Sequence, residues 1–130
     1  MALGSQIAQG DIWWVDFNPT IGKEIKKTRP AIVIDSEGFG YDEMRIVLPF
    51  SSVKDYNKDL INAALWLIRV DDYQSLGLSE WSFINTHQIK SCDLKRFKSK
   101  IGKASDKLLF EVHRALVGIF NPRYLLKYPK

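Results

Sequence analysis

Through most of the chain, apolar positions come in short runs separated by polar turns, and only near the C-terminus does a helical period take over. Asp11–Phe17 (DIWWVDF) carries the β-branched and aromatic side chains of a pleated, half-buried surface and reads as a first strand. Asn18-Pro19 ends it, because proline has no N–H to give a ladder and the pair favours a turn. A polar, Lys-rich connection follows from Thr20 to Arg29, with Gly22 as its flexible point. Pro30 introduces the apolar run Ala31–Asp35, closed by Ser36, Glu37 and Gly38. Arg45–Phe50 (RIVLPF) is a third strand, in which Pro49 implies an edge or a bulge. Ser51–Asp59 is a polar loop. Leu60–Val70 (LINAALWLIRV) fits helix or strand by periodicity, and its β-branched and aromatic content among short strands decides for strand. Ser82–Ile89 is the fifth strand.

From Asp106 to Phe120 the pattern changes. Leu108, Leu109, Val112, Ala115, Leu116, Ile119 and Phe120 form a stripe of period 3.6, with Lys107, Glu111 and Arg114 on the other side. Ser105 is placed to cap this helix, Asp106 suits the positive end of its dipole, and Asn121-Pro122 stops it. His113 reads as a surface or boundary residue. Five short strands and one packing helix imply a mainly β (α+β) chain: one domain over 1–130, with a strongly bent sheet or small barrel closed by a helix, and a basic tail over 121–130.

Composition narrows the chemistry by exclusion. With 130 residues, 45% hydrophobic and 26% charged, the chain is long enough for one real core. No stretch approaches the roughly 18 apolar residues of a membrane span, and the N-terminus lacks the basic start and apolar run of a secretory signal. One cysteine, Cys92, and two histidines provide neither a disulfide framework nor zinc spacing, so a cytoplasmic setting is expected. There is no phosphate-cradling glycine loop, no GxSxG and no HExxH. A single free cysteine in a cytoplasmic protein is more often inert packing than a nucleophile. Charge is distributed unevenly: residues 1–89 hold 8 basic and 12 acidic side chains, whereas residues 90–130 hold 11 and 3. That asymmetry suits an anionic partner, nucleic acid first, but equally a solvated lysine face.

The residues that decide between these lie in GDIWWVDFNPTIGKEIKKTRPAIVI, Gly10 to Ile34, which closely resembles the N-terminal signature of the MazF/PemK-like toxin family. The features are a Gly-Asp pair, an aromatic strand, a D-P-T-like turn (Asn18-Pro19-Thr20), G-x-E, and Arg-Pro before an apolar strand. RIVLPFSS is similar to that family's third strand, and QIKSCDLKRF (Gln88 to Phe97) to its Q-[IV]-[RK]-[ST] segment. IGKAS leading into the helix completes the order, so the resemblance covers about residues 10–120. It implies an SH3-like or CcdB-like antiparallel β-barrel with a C-terminal helix. It also implies a homodimeric type II toxin, restrained by an acidic antitoxin, that cuts single-stranded mRNA selectively without metal or cofactor.

Carried over residue by residue, Arg29 stands at the catalytic arginine. A guanidinium suits the charge that builds on a pentacoordinate phosphate when the adjacent 2′-hydroxyl attacks, and its high pKa makes it a poor general acid. Ser51 falls on the catalytic Thr or Ser, with Ser52 as its neighbouring alternative. Glu24 is the G-x-E carboxylate, a weak base unless burial raises its pKa, so positioning the loop ranks above proton transfer. Gln88, Lys90 and Ser91 match the polar segment that faces RNA; Lys90 suits phosphate and Gln88 a base edge. Thr20, Lys23, Lys26 and Lys27 sit in the loop over the groove and would add affinity without sequence choice. Trp13, Trp14 and Trp66 could stack bases, but their strand context favours core packing, with at most one partly exposed.

The sequence departs from the family pattern at Asn18, at Trp81 and at His87, the last two replacing acidic residues. In the tail, Tyr124, Leu125 and Leu126 are candidates to dock on the barrel or on a dimer mate. Two other activities fit the same fold: a CcdB-like toxin that binds DNA gyrase without cutting RNA, and an inactive RNA-binding barrel.

Overall fold

The computed structural model describes residues 6–36, 43–52, 54, 56 and 58–121. Seven strands and two helices follow in the order β1 (Asp11–Asp16), β2 (Thr28–Val33), β3 (Met44–Ser52), α1 (Lys58–Ala63), β4 (Leu67–Val70), β5 (Ser82–Asn85), β6 (Lys90–Asp93), β7 (Phe97–Lys103) and α2 (Asp106–Phe120). All pairings are antiparallel, and the path runs β4-β5-β3-β2-β1-β7 with β6 added beside β3. Among the described residues no pairing joins β4 to β7, so the sheet is bent and open.

Alternation along the strands splits the core in two. Ile12, Ile32, Leu48 and Ile84 lie in a cluster completed by Leu108, Val112 and Leu116 of α2. Their neighbours Trp13, Val15, Val33 and Val47 join Phe17, Cys92 and Phe97 in a second cluster. This is the period-2 separation of faces that strand geometry imposes, with the amphipathic helix covering one face. Trp13 is buried, but Trp14 keeps 39% of its surface exposed and Trp66 is only half-buried, so two of the three tryptophans retain open surface.

α2 spans the residues its periodicity marks out. Ser105 caps it by accepting from Leu108 N at 3.1 Å, and Asn121, with φ 43°, ends it by donating its N–H to the Val117 carbonyl at 2.7 Å. Phe120, assigned to the apolar stripe, instead stands 64% exposed at the last turn. His113 is half-buried, as a boundary residue.

These expectations need five corrections. Leu60–Val70 is not one strand: α1 occupies Lys58–Ala63, a turn passes through Leu65 and Trp66, and only Leu67–Val70 is extended. Asp59 in the first turn and the helix-compatible Asn62-Ala63 outweigh β-branching there, and no residue of α1 is buried. Ser82–Ile89 pairs only as far as Asn85 before turning at Thr86 and His87. The polar loop expected over Ser51–Asp59 is shortened at both ends, since β3 runs through Ser52 and α1 begins at Lys58. Two strands, β6 and β7, carry almost no apolar signal: β6 buries only Cys92, and β7 exposes most of its side chains along the end of the sheet. Pro49, finally, marks neither edge nor bulge. It is buried in an interior strand, between Val47, which pairs with Lys90 of β6, and Phe50, which pairs with Ile84 of β5. The missing N–H falls where β3 changes partners. The expectations for the basic tail, with Tyr124, Leu125 and Leu126, lie outside the described residues. No described helix is long and apolar enough to cross a membrane.

Replacing Ser105 by Ala removes the cap acceptor for Leu108 N and should cost about 1 kcal/mol. Urea denaturation measures it; an unchanged midpoint would show that the cap contributes nothing.

Candidate active site

A single proline shapes the site. The β2–β3 ladder pairs Val33 with Val47, Ile32 with Leu48 and Ala31 with Pro49. Ile34 N donates to Ile46 O at 3.0 Å, so by alternation the even-numbered N–H groups of β2 face β3. The next bonded rung would need the Pro30 N–H on the Phe50 carbonyl, and proline has none. The ladder stops at Ala31–Pro49, one rung short of it. The odd-numbered groups of β2 face β1, where Val15 pairs with Arg29, so Pro30 costs that ladder nothing. Continued past the break, the same register sets Arg29 opposite Ser51.

A cleft of about 330 Å³ opens there. Arg29, Pro30, Ser51, Ser52 and Phe50 line it from β2 and β3, and Trp14 lines it from β1. Its other wall is Gly77, Leu78, Ser79 and Glu80, with Ser82 and Ile101. That wall is seated by backbone contact. Gly77 has φ +90° and lies so close to β7 that an added Cβ would come within 2.7 Å of the Ile101 carbonyl oxygen; one on Gly102 would meet the Leu76 oxygen at 2.3 Å. Only glycine permits both approaches.

Two side chains give the cleft its chemistry. Ser51 is 2% exposed, and among the described residues its hydroxyl is one of two buried side-chain polar groups without a hydrogen-bond partner, the other being Trp13 Nε1. A buried orphan hydroxyl costs about 1–3 kcal/mol, a penalty a ligand oxygen would relieve. Arg29 is half-buried, and its Nε–H donates to the Lys26 carbonyl at 2.9 Å. A guanidinium and an unsatisfied hydroxyl lining one cleft can together hold an oxyanion.

Of the other sequence-derived candidates, Ser52 also lines the cleft, whereas Thr20, Lys23, Glu24, Lys26, Lys27, Gln88, Lys90 and Ser91 do not. Glu24 is exposed, and its Oε1 accepts from Ile21 N at 2.6 Å, closing a turn in the 20–27 loop. Thr20 is half-buried in that loop, and Lys23, Lys26 and Lys27 are exposed. Lys27, with φ 68°, is held by its N–H on Asn18 Oδ1 at 3.1 Å. Gln88 spends both ends of its amide on the loop: Oε1 accepts from Ile25 N and Nε2 donates to Lys23 O, each at 3.3 Å. Lys90 is half-buried and Ser91 exposed, both on β6, against Val47 and Ile46. The cleft residues missed from the sequence are Trp14 as a wall and Gly77–Glu80, which no strand or helix pattern marks; the glycine was their one available signal. Trp81 and His87 build an aromatic cluster instead, with the Arg69 guanidinium 4.7 Å from the Trp81 ring centre and His87 edge-on to Trp66 at 5.9 Å.

Burial pushes the Cys92 thiol above its ordinary pKa, and the nearby charges of Lys90 and Arg96 only partly oppose this. The fold therefore favours the protonated thiol: stability is full below the unfolded thiol's pKa and falls as pH rises past it. Alkylation of Cys92 by iodoacetamide at pH 8 should run more than about tenfold slower in native protein than in guanidinium chloride. Equal rates would contradict the burial.

Residues 8–120 match the family described as PemK-like, MazF-like toxin of type II toxin-antitoxin system. A protein named endoribonuclease MazF, from Staphylococcus epidermidis, is 30% identical over 112 residues, 85% of this chain and 88% of its own length. Among solved structures, MazF from Deinococcus radiodurans superposes with a TM-score of 0.70 at 21% identity, over 88% of this chain and 96% of that one. A mycobacterial endoribonuclease in complex with its cognate antitoxin does so at 0.66 and 8% identity, over 88% and 95%. At such identities the structural matches speak for the fold alone.

Proposed function

The chain belongs to the PemK-like, MazF-like toxin family, and from that premise we propose that it cuts single-stranded RNA in the cleft between β2 and β3. It is the endoribonuclease toxin of a type II toxin–antitoxin pair. The observation that supports placing the chemistry in this cleft is the juxtaposition of Arg29 with the buried, unpartnered hydroxyl of Ser51.

In this reading the RNA supplies its own nucleophile. The 2′-oxygen attacks the adjacent phosphorus, the bond to the 5′-oxygen breaks, and the products are a 2′,3′-cyclic phosphate and a 5′-hydroxyl. Negative charge grows on the phosphoryl oxygens as phosphorus becomes pentacoordinate. Arg29 stabilises it through charge-assisted N–H bonds, and Ser51 donates its O–H to one of those oxygens. Both contacts strengthen only as charge develops, so they lower the barrier more than they tighten binding. The 2′-hydroxyl proton passes to water at the open cleft, and water there returns a proton to the departing 5′-oxygen. Glu24, which lies outside the cleft lining and accepts from Ile21 N, shapes the loop in this reading. Trp14 offers an exposed ring to a base flanking the scissile phosphate, and the exposed lysines 23, 26 and 27 meet the RNA backbone. The protein acts as a homodimer in the cytoplasm, where an acidic antitoxin holds it in check. No step calls on a metal or cofactor.

Purified protein should cut an unstructured RNA equally well with and without EDTA. Arg29→Ala should lower the rate by at least about 100-fold with an unchanged circular dichroism spectrum, and Ser51→Ala by about 10- to 100-fold. Dependence on magnesium, or a fully active Arg29→Ala, would refute this mechanism. Inhibition of gyrase supercoiling without RNA breakage would assign the fold to the other class of toxin.

A further inference from the structure

We infer that Gln88 is a positioning residue for Arg29, acting through the 20–27 loop and not by contact with RNA; this rests on the assignment of Arg29 to catalysis. Gln88 lies in the turn between β5 and β6, more than sixty residues away in sequence from the loop it holds. Its two amide ends grip that loop on both sides of Glu24, one at the Lys23 carbonyl and one at the Ile25 N–H. One residue on, the Lys26 carbonyl receives the Arg29 Nε–H. The guanidinium is thus tied to the loop, and the loop is tied to the turn before β6.

Among the described residues, the other long-range bonds hold the ends of the loop. Lys27 is fixed at both backbone groups, its N–H on Asn18 Oδ1 and its carbonyl accepting from Phe17 N at 3.0 Å. Arg96 donates to the carbonyls of Asp16 and Asn18, which anchors the start. Within the loop, the bonds Glu24 makes to described residues are to Ile21, a local closure that moves with the segment. Ile25 is the loop's apolar contact with the second core cluster, and its N–H is the one Gln88 accepts. Gln88 is the long-range polar tie on residues 23–25. Without it the Lys26 carbonyl loses that support, and the acceptor of the Arg29 Nε–H shifts with it. Small displacements of a group that stabilises a transition state reduce turnover without reducing binding.

A residue that read a base would behave differently. Its loss would weaken binding and relax the cleavage motif, because a base contact exists in the ground state and carries sequence information.

The test compares full-length wild type, Gln88→Ala and Gln88→Glu on a labelled, mixed-sequence single-stranded RNA. Gln88→Ala should lower kcat about tenfold, leave KM within about twofold, and leave the sequence at the cut ends unchanged. Gln88→Glu keeps an acceptor for Ile25 N and should fall between the two. Without RNA, NMR should show faster hydrogen exchange at the Ile25 amide and at Arg29 Nε in Gln88→Ala, with the rest of the sheet unaffected. A raised KM with unchanged kcat, or an altered cut motif, would overturn the proposal in favour of base reading. Unchanged exchange at Arg29 Nε would overturn it even if the wild type cut no RNA, so this arm is judged separately from the nuclease reading.

Discussion

The absent N–H of Pro30 is the constraint from which the site follows. A nine-residue strand such as β3 would ordinarily pair with β2 along its length, burying its polar backbone in one continuous ladder. Pro30 cannot supply the rung to Phe50, so the ladder ends while both strands continue. What continues is Arg29 on one side and Ser51-Ser52 on the other, and the gap between them is the cleft. Pro49 acts on the opposite edge of β3. There it occupies the point at which β6 gives way to β5, so its missing donor falls where no rung is made. Two prolines that look hostile to a central strand thus mark the two places where pairing changes.

The site concentrates features that a stable fold otherwise avoids. Ser51 leaves a hydroxyl buried and unsatisfied, Lys27 adopts a left-handed backbone, and Gly77 and Gly102 bring two backbones closer than any side chain allows. The rest of the sheet, filled by two clusters of apolar side chains, can carry these costs. The 20–27 loop has little apolar anchoring beyond Ile25. Its form is made by side chain to backbone bonds from Asn18, Glu24, Gln88 and Arg96. Polar bonds of this kind stabilise modestly but orient well.

The basic C-terminal third is better understood on the structure than along the chain. Its cations between Lys90 and Lys103 lie mainly on β6, β7 and the turn between them. Lys98, Lys100 and Lys103 are exposed on β7, the last strand of the sheet, and none of them lines the cleft. Lys100 pairs with the buried Asp11 at 3.3 Å, and Arg96 is spent on loop carbonyls. Lysines along a sheet edge discourage pairing with other strands, a sufficient reason for their number whatever else they contact. The cation that belongs to the cleft is Arg29, set within the acidic part of the chain.

By itself the sequence determined the helix and its caps, the three strands around DIWWVDF, RPAIV and RIVLPF, and the family, and it singled out Arg29 and Ser51 as candidates. These are local patterns: a 3.6-residue stripe, alternating or apolar strand runs, and motifs of fixed spacing. It left α1 hidden in Leu60–Val70, because an apolar run without clear period favours neither state. It left β6 and β7 unread, because a strand exposed on one face and rich in lysine carries no hydrophobic signal. Tertiary structure alone decided that Arg29 and Ser51 line one cleft where the ladder breaks, that Gly77–Glu80 forms its opposite wall, and that the Gln88 amide bonds to the 20–27 loop. Each of these depends on register and on contacts between residues 20 to 65 positions apart, and nothing in local propensity reports such a distance.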